Sequence, residues 1–282
     1  MRSAGHKLSD SVEVAIASRT GRTGSHDLRP QRFPTMNKRE SLVPGSEVAR
    51  TLAAAIFDVD GVLLASPHER AWREALDGFA DKARFTTTMY QSQVAGKPRL
   101  SGALAALRAL GVPNAEQLAQ SYAEHKQKRL EALIDAGAVA AFPDAIRFVK
   151  AVRTLGWPIA VASSSKNANG MMKSIRVDAG HSLFDVFRAN VCGRDLRQGK
   201  PNPEIFLLAA AELPEAPANC FVVEDAPAGI EAACAGGMAA LGVARLADAD
   251  LLWAAGATLV VATLDEVAID QLSKGRLCRQ QP

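Results

Sequence analysis

The chain has 282 residues, of which 48% are hydrophobic and 22% charged, the proportions of an ordinary globular protein rather than a disordered or fibrous one. No segment approaches the roughly 18 consecutive apolar residues of a transmembrane helix, so no membrane span is predicted. Nine of the 33 basic and five of the 30 acidic residues lie in residues 1–50. The rest of the chain is almost neutral, which gives no electrostatic reason to expect a nucleic-acid partner.

Residues 1–50 are rich in Ser, Thr, Arg and Gly, and their one brief apolar run covers residues 12–17. A segment of this composition cannot bury enough apolar surface to offset its ordering entropy, so we interpret it as a disordered extension. A transit peptide and a start at Met36 are the alternatives, and the acidic residues disfavour the former. The four cysteines lack the spacing of a metal site, which favours reduced thiols and a cytoplasmic location.

A short apolar run that ends in two acids opens the folded part. Residues 53–57 predict a strand buried on both faces, as in a parallel sheet, and Asp58, Asp60 and Gly61 follow it. The period-2 geometry of a strand directs both carboxylates to the same side. Open α/β sheets bind ligands at the carboxyl ends of their strands, and two neighbouring acids repel each other unless a cation lies between them. The stretch therefore predicts a metal site, with two solvated loop acids as the alternative.

An all-helical block is predicted behind this strand. Apolar residues recur at helical spacing over residues 67–78, 100–110 and 115–134. No strand-like alternation appears between about residues 66 and 140. We therefore predict a helical domain of residues 66–140, inserted between two parts of a second domain.

From residue 142 onwards, strands and helices alternate. The predicted helices cover 142–155, 168–175, 203–212 and 228–235, and the predicted strands cover 158–163, 189–192, 220–224, 239–243 and 257–262. This alternation predicts an α/β fold, a doubly wound parallel sheet to which the first strand also belongs. The core domain is thus expected to comprise 51–65 and 141–270, and 271–282 to form a C-terminal tail that is polar and frays from Ser273.

Polar side chains follow the predicted strands at one edge of the sheet. They comprise Asp58 and Asp60, Ser163 and Ser164, Lys200 in a loop flanked by prolines, and Glu224 and Asp225. Separately, each has an ordinary explanation as a turn residue, a solvated lysine or a helix cap. Together they supply carboxylates for a hard cation and donors for an anion, which phosphoryl transfer with Mg²⁺ requires.

The order of these motifs resembles that of the haloacid dehalogenase (HAD) superfamily of phosphotransferases. Within it, the chain is similar to the β-phosphoglucomutase-like branch, which carries a helical cap. The resemblance covers about residues 53–265. Two segments carry it most closely: Val-Ala-Ser-Ser-Ser-Lys-Asn at 161–167 and Lys-Pro-Asn-Pro-Glu-Ile-Phe at 200–206.

The resemblance implies a role for each group at the sheet edge. Asp58 matches the nucleophile, whose carboxylate takes the phosphoryl group as an aspartyl-phosphate and so divides one hard transfer into two. Asp60 matches the general acid/base that protonates the leaving oxygen and later deprotonates the acceptor. The resemblance further implies that Ser163, Ser164 and Lys200 hold the transferring phosphoryl oxygens.

The resemblance also implies Mg²⁺ as cofactor. Its ligands would be the Asp58 carboxylate, the main-chain carbonyl of Asp60 and the Asp225 carboxylate, with Glu224 as a further ligand or as a partner of one. Asp60 disfavours dehalogenation, because the dehalogenases of the superfamily have no leaving oxygen to protonate and lack an acid at that position.

Three cations of the helical block match cap residues of that branch. His68 begins a His-Glu-Arg-Ala-Trp run similar to its first cap helix, Arg99 ends a Gly-x-x-Arg motif whose arginine binds the distal phosphate, and Lys126 aligns with a lysine that contacts the sugar phosphate. The alternative for each is a solvated surface cation. Asp60 and His68 lie closer together than in the typical mutase, and Ala65 takes a place often held by Asp.

We therefore predict Mg²⁺-dependent phosphoryl transfer on a small phosphorylated sugar, with a β-phosphoglucomutase-like isomerase as the leading interpretation. A sugar-phosphate phosphatase is the first alternative, because a shorter hinge changes how well a closed cap excludes water. A non-catalytic protein that binds a phosphorylated ligand is the alternative of another class. We expect a monomer, with no nucleic-acid or membrane partner.

Overall fold

The computed structural model describes residues 51–281, so the predicted extension of residues 1–50 lies outside the described part. The strands within it are β1 Ala54–Phe57, β2 Leu64–Ala65, β3 Ala140–Ala141, β4 Ile159–Val161, β5 Ala189–Asn190, β6 Cys220–Glu224, β7 Ala239–Val243 and β8 Leu259–Val261. The α-helices are α1 His68–Glu74, α2 Thr87–Met89, α3 Arg99–Ala109, α4 Ala115–Asp135, α5 Pro143–Thr154, α6 Ala168–Ser174, α7 Glu204–Glu212, α8 Pro227–Ala235, α9 Ala249–Ala254 and α10 Ile269–Leu272.

Six of these strands form one parallel sheet in the order β5-β4-β1-β6-β7-β8. β1 lies in the middle, where Ile56 pairs with Ala160 on one side and with Val222 on the other. The sequence order of the strands reverses at β1, and open α/β sheets bind ligands at such a point. The predicted fold class, a doubly wound parallel α/β sheet, is confirmed.

Both faces of the sheet are covered, which explains the continuous apolar run of β1. Ala54 and Ile56 pack into one hydrophobic cluster, and Ala55 and Phe57 into the cluster on the opposite face. The Phe57 ring meets the ring of Phe148 from α5 edge-on, at a centroid distance of 6.1 Å. Burying a side chain such as Ile56 or Phe57 contributes about 1.5–3 kcal/mol, so β1 is firmly held where its last residue meets Asp58.

The predicted helical block lies between β2 and β3, which pair with each other in antiparallel fashion. Helices α1 to α4 enclose a hydrophobic cluster of their own, to which Trp72, Leu76, Phe85, Leu107 and Tyr122 belong. We call the helices between β2 and β3 the cap, and the parallel sheet with its helices the core. The boundaries of two separate domains at residues 66–140 stay a prediction.

Several elements differ from the sequence predictions. The first cap helix ends at Glu74 rather than Gly78, which has a positive φ of 82° and lies in a turn. A π-helical turn over Tyr90–Val94 and the short helix α9 were not predicted. The two-residue strands β2 and β3 also escaped prediction, because two residues carry no periodicity.

The prediction of a fraying tail beyond residue 271 is wrong. Helix α10 crosses that boundary, the carbonyl of Gly275 accepts a 3.0 Å hydrogen bond from the Leu52 amide, and the carbonyl of Cys278 accepts one of 3.0 Å from Ala268. Leu277 packs against the main hydrophobic cluster of the core. One apolar residue and backbone pairing suffice to hold a segment whose composition is polar. Among residues 51–281, no helix has the length and hydropathy needed to cross a membrane.

Candidate active site

The nucleophile candidate Asp58 is fixed by the backbone at the carboxyl end of β1. Its amide donates a 3.0 Å hydrogen bond to the carbonyl of Val223 in β6, which extends the strand pairing by one residue. Beyond it the chain turns sharply, and the amides of Leu63 and Leu64 both donate to the carbonyl of Val59 at 2.9 Å. The Asp58 side chain is therefore held at the edge of the sheet, and only 5% of its surface is exposed.

Lys200 lies between two carboxylates beneath this edge. Its ammonium group is 2.5 Å from Asp58 Oδ1, contacts Glu224 Oε1, and lies 4.8 Å from the centre of the Phe206 ring. Burial alone would lower the pKa of Lys200, but the two carboxylates raise it above its usual value. Burial raises the pKa of Asp58 to about 7, with Lys200 opposing the shift and Glu224 adding to it. The lysine is therefore a permanent cation that holds two acids in place.

Three acids are close enough to share one cation. One carboxylate oxygen each of Asp58, Glu224 and Asp225 lies within 4.8 Å of the others. Burial, together with the charges of Glu224 and Asp58, raises the pKa of Asp225 well above its usual value. Such a raised pKa indicates repulsion between neighbouring carboxylates, which a bound cation would relieve.

Gly61 leaves the space that this acid cluster needs. Its φ is +84°, and a Cβ there would lie 1.8 Å from Asp225 Oδ2. A side chain at this position would displace the carboxylate, and the positive φ would add backbone strain. Glu224 is fixed differently, because its Oε2 accepts hydrogen bonds from the amides of Asp225 at 2.9 Å and Ala226 at 3.0 Å. The residues present thus fit a divalent cation, with Asp58 and Asp225 offering the freer oxygens.

Asp60 lies between a core serine and a cap histidine. Ser163 donates a 3.3 Å hydrogen bond from its hydroxyl to Asp60 Oδ2. The other oxygen, Oδ1, is buried without a hydrogen bond and lies 3.4 Å from Nε2 of His68. Burial lowers the pKa of His68 to about 4, with the Asp60 charge opposing the shift, so its imidazole is neutral near pH 7. Asp60 is thus held through Oδ2 by Ser163, and its Oδ1 lies next to the imidazole without a hydrogen bond.

The cap places two further cations near this pair. Lys126 Nζ lies 3.0 Å from His68 Nδ1 and 4.9 Å from the centre of the Trp72 ring. Burial lowers the pKa of Lys126 to about 7, with Asp60 opposing the shift and Arg99 adding to it. Arg99 itself is exposed at the start of α3. Lys126 is therefore a cation that gives up its proton near neutrality.

A cavity of about 510 Å³ lies between the cap and the core. Eight of the ten residues predicted from the sequence line it: Asp58, Asp60, His68, Arg99, Lys126, Ser163, Ser164 and Asp225. The other two, Lys200 and Glu224, lie beneath its floor with fully buried side chains. Ser164 donates its hydroxyl to the carbonyl of Gly96 in the cap at 3.3 Å. The structure thus brings the predicted residues to one place, and their chemical roles stay proposals.

Arg245 belongs to this region and was missed by the sequence reasoning. It donates from Nε to the carbonyl of Gly61 at 2.8 Å and from Nη2 to that of Val62 at 3.0 Å, and its guanidinium carbon lies 3.7 Å from the centre of the Phe142 ring. It therefore ties the loop behind Asp60 to the chain that returns from the cap. Its position just after β7, at the same edge of the sheet, is the signal that could have found it.

Arg245 also contacts Asp144 at the start of α5, with 3.1 Å between Nη1 and Oδ2. The same carboxylate accepts 2.9 Å hydrogen bonds from the Thr263 hydroxyl and the Leu264 amide. Burial alone would raise the pKa of Asp144, but these hydrogen bonds lower it below its usual value. Asp144 is thus a structural carboxylate that joins three segments next to the hinge.

Comparison with known proteins decides the family. A model of the haloacid dehalogenase-like hydrolases matches residues 52–237, about two thirds of the chain. The chain belongs to this family. The HAD resemblance inferred from the motifs is therefore confirmed, and the enzyme is a HAD phosphomutase or phosphatase. A purely binding protein is not supported.

Relatives of both reaction types are similar to this HAD chain. A β-phosphoglucomutase of Mycobacterium bovis is 31% identical over 243 residues, which cover 76% of this chain and 90% of the relative. A phosphorylated carbohydrates phosphatase of Thermotoga maritima is 29% identical over 216 residues, covering 74% and 94%. The crystal structure of an archaeal β-phosphoglucomutase from a Pyrococcus species has a TM-score of 0.62 at 31% identity, covering 78% and 96%. These similarities support the β-phosphoglucomutase-like branch.

Proposed function

We propose that the protein transfers a phosphoryl group through an aspartyl-phosphate at Asp58, with a small phosphorylated sugar as substrate and isomerisation of the β-phosphoglucomutase type as the overall reaction. The observation that carries this proposal is the position of Asp58 at the floor of the cavity. It lies against Lys200 and the Glu224–Asp225 pair on the core side. The cap cations Arg99 and Lys126 line the same cavity.

The residues around Asp58 can carry both halves of such a transfer. In the first, an oxygen of Asp58 bonds to phosphorus, the bond from phosphorus to the sugar oxygen breaks, and Asp60 gives that oxygen a proton. In the second, a hydroxyl of the acceptor loses its proton to Asp60, bonds to phosphorus and releases Asp58. The hydrogen bond from Ser163 and the neighbouring neutral His68 support this role of Asp60.

We propose Mg²⁺ as the cation, as HAD hydrolases generally use it. Asp58, Asp225 and the main-chain carbonyl of Asp60 would hold it, and it would neutralise charge on the phosphoryl oxygens. Glu224 is better suited to position these groups than to bind the ion, because its oxygens already accept from Lys200 and from two backbone amides.

The sugar-phosphate substrate is supported by the cations of the cap. Arg99 and Lys126 line the cavity together with Asp58, and an arginine suits the bidentate recognition of a phosphate. The names of the relatives, a β-phosphoglucomutase and a phosphorylated carbohydrates phosphatase, agree with this class. The similarity to the phosphatase supports a sugar-phosphate phosphatase as the second candidate function. A monomer in the cytoplasm stays a prediction.

Incubation with β-glucose 1-phosphate, Mg²⁺ and a trace of the bisphosphate tests the proposal. We expect glucose 6-phosphate to form, and the Asp58→Asn variant to lose turnover by several decades while it keeps its fold. Release of inorganic phosphate without the isomer would support the phosphatase instead. Turnover of Asp58→Asn near that of the wild type would refute the covalent mechanism. If the wild type formed neither product, the proposed substrate would be wrong.

A further inference from the structure

The cap rests directly on the core through the loop that precedes Arg99. Gly96 in this loop has a φ of +75°, and a Cβ there would lie 3.3 Å from the Cβ of Ala226 and 3.7 Å from the amide nitrogen of Gly229. The carbonyl of Gly96 accepts the hydrogen bond from Ser164. The loop therefore lies against small residues of the core, with the backbones of the two parts close together.

The tightest contact of this loop is between Pro98 and Gly199, one residue before the buried Lys200. A Cβ at residue 199 would lie 1.9 Å from Cγ, 2.5 Å from Cδ and 3.4 Å from Cβ of Pro98. The φ of Gly199 lies outside the left-handed region, so its backbone would accept an alanine without strain. The three atoms nearest to such a Cβ all belong to the proline ring of the cap, and the absent side chain makes room for the ring.

A second pair of residues joins the cap and the core elsewhere along the cavity. The side-chain amides of Gln127 in α4 and Asn167 before α6 face each other, with 3.2 Å and 3.4 Å between their donor and acceptor atoms. The cap connects to the core through the two-residue strands β2 and β3. Such a short ribbon constrains the cap weakly, so contacts across the cavity hold it in the position seen here.

We propose that the contact between Pro98 and Gly199 lets the cap close, and that it thereby determines whether the phosphoryl group passes to the acceptor sugar or to water. A side chain at residue 199 would displace the cap loop by about 1.5 Å, the difference between 1.9 Å and an ordinary 3.4 Å contact. The displacement would hold the cap less firmly against the core, so that water would reach Asp58 more often. An attacking water would lose a proton to Asp60 and bond to phosphorus, the bond between phosphorus and the Asp58 oxygen would break, and inorganic phosphate would be released.

The second half of this proposal rests on the proposed function, so the experiment has two separate measurements. Four variants of the full chain are compared with the wild type: Gly199→Ala, Pro98→Ala, the double variant, and Gly170→Ala as control. The control adds the same methyl group in α6, where it would meet no atom within 4 Å apart from the backbone of its own helix. Pro98→Ala removes the two ring atoms that obstruct residue 199 and leaves Cβ at 3.4 Å.

The first measurement is deuterium uptake by peptides covering residues 95–99 and 161–167, without substrate. We expect Gly199→Ala to exchange roughly tenfold faster than the wild type, the effect of losing one hydrogen bond and the packing beside it. The double variant and Gly170→Ala should exchange like the wild type. Unchanged uptake in Gly199→Ala would overturn the proposal, as would a faster exchange that the double variant fails to restore.

The second measurement is the ratio of inorganic phosphate to isomer formed from β-glucose 1-phosphate. Gly199→Ala should raise this ratio roughly tenfold, and Pro98→Ala in the double variant should restore it. If deuterium exchange changed as expected but the ratio of phosphate to isomer were the same in all variants, the proposed control of water exclusion by this contact would be overturned. If the wild type turned over no sugar phosphate while the exchange pattern held, the proposed function would fall and the role of the contact in cap closure would stand.

Discussion

Replacing Lys200 by methionine tests how the buried charges at the floor of the cavity are balanced. The variant keeps an unbranched, largely apolar side chain one atom shorter than lysine, but leaves Asp58 and Glu224 without their cation. At an effective dielectric constant of about 20, unit charges 2.5 Å apart attract by about 7 kcal/mol before desolvation is subtracted. Breaking a buried pair by removing one partner typically costs about 3–5 kcal/mol, which we expect here at pH 8.

The pH dependence of this loss follows from the carboxyl groups. Burial already raises the pKa of Asp58 to about 7, and without Lys200 it rises further. A carboxyl group whose pKa is raised in the folded state destabilises the fold as the pH rises, and the effect vanishes at low pH where the group is protonated in both states. The difference in unfolding free energy between the wild type and Lys200→Met should therefore shrink from pH 8 to pH 5.

Urea denaturation in the presence of a chelator measures this difference. Lys150→Met is the matched control, because Lys150 is exposed on α5 and its change should cost less than about 0.5 kcal/mol. A loss for Lys200→Met no larger than that of the control would refute the assignment of a buried charge cluster. So would a loss of the same size at pH 5 and pH 8.

Three further changes test other parts of the site. Gly61→Ala should weaken the Mg²⁺ response of turnover by at least roughly tenfold, because its Cβ would displace the Asp225 carboxylate; an unchanged Mg²⁺ titration would contradict this. Arg99→Ala should reduce kcat/KM for a sugar phosphate far more than for a small aryl phosphate, and equal losses would place Arg99 outside the substrate site. Asp144→Asn should cost about 1–3 kcal/mol of stability at pH 7. Because the pKa of Asp144 is depressed, this cost should disappear as the pH falls below about 4, and a loss independent of pH would contradict it.

The sequence predicted the core of the fold because its strands are apolar on both faces. Residues 220–224 and 239–243 were predicted as strands with the same bounds that β6 and β7 have in the structure. The position of Asp58 and Asp225 at the same edge of the sheet was predicted because the carboxyl ends of parallel strands meet there, and the structure brings their oxygens together. Periodicity and topology are thus enough to predict a strand and the place where it ends when the strand is buried along its whole length.

Other parts of the site could not be predicted because they depend on contacts distant in the sequence. Arg245 donates to the carbonyl of Gly61, 184 residues away, and no local pattern signals this. The contact of Pro98 with Gly199 depends on how the cap sits on the core. The prediction for the tail beyond residue 271 failed for the same reason, since the composition of a segment does not show which residues it packs against.

Mass spectrometry of the phosphorylated protein tests the covalent mechanism most directly. The wild type is mixed with a small acyl phosphate and Mg²⁺, quenched in acid within milliseconds and digested. We predict one added phosphoryl group on the peptide that contains Asp58, its absence from the Asp58→Asn variant, and its loss on addition of the acceptor sugar phosphate. Turnover without any phosphorylated peptide, or a phosphoryl group on another residue, would contradict the role of Asp58.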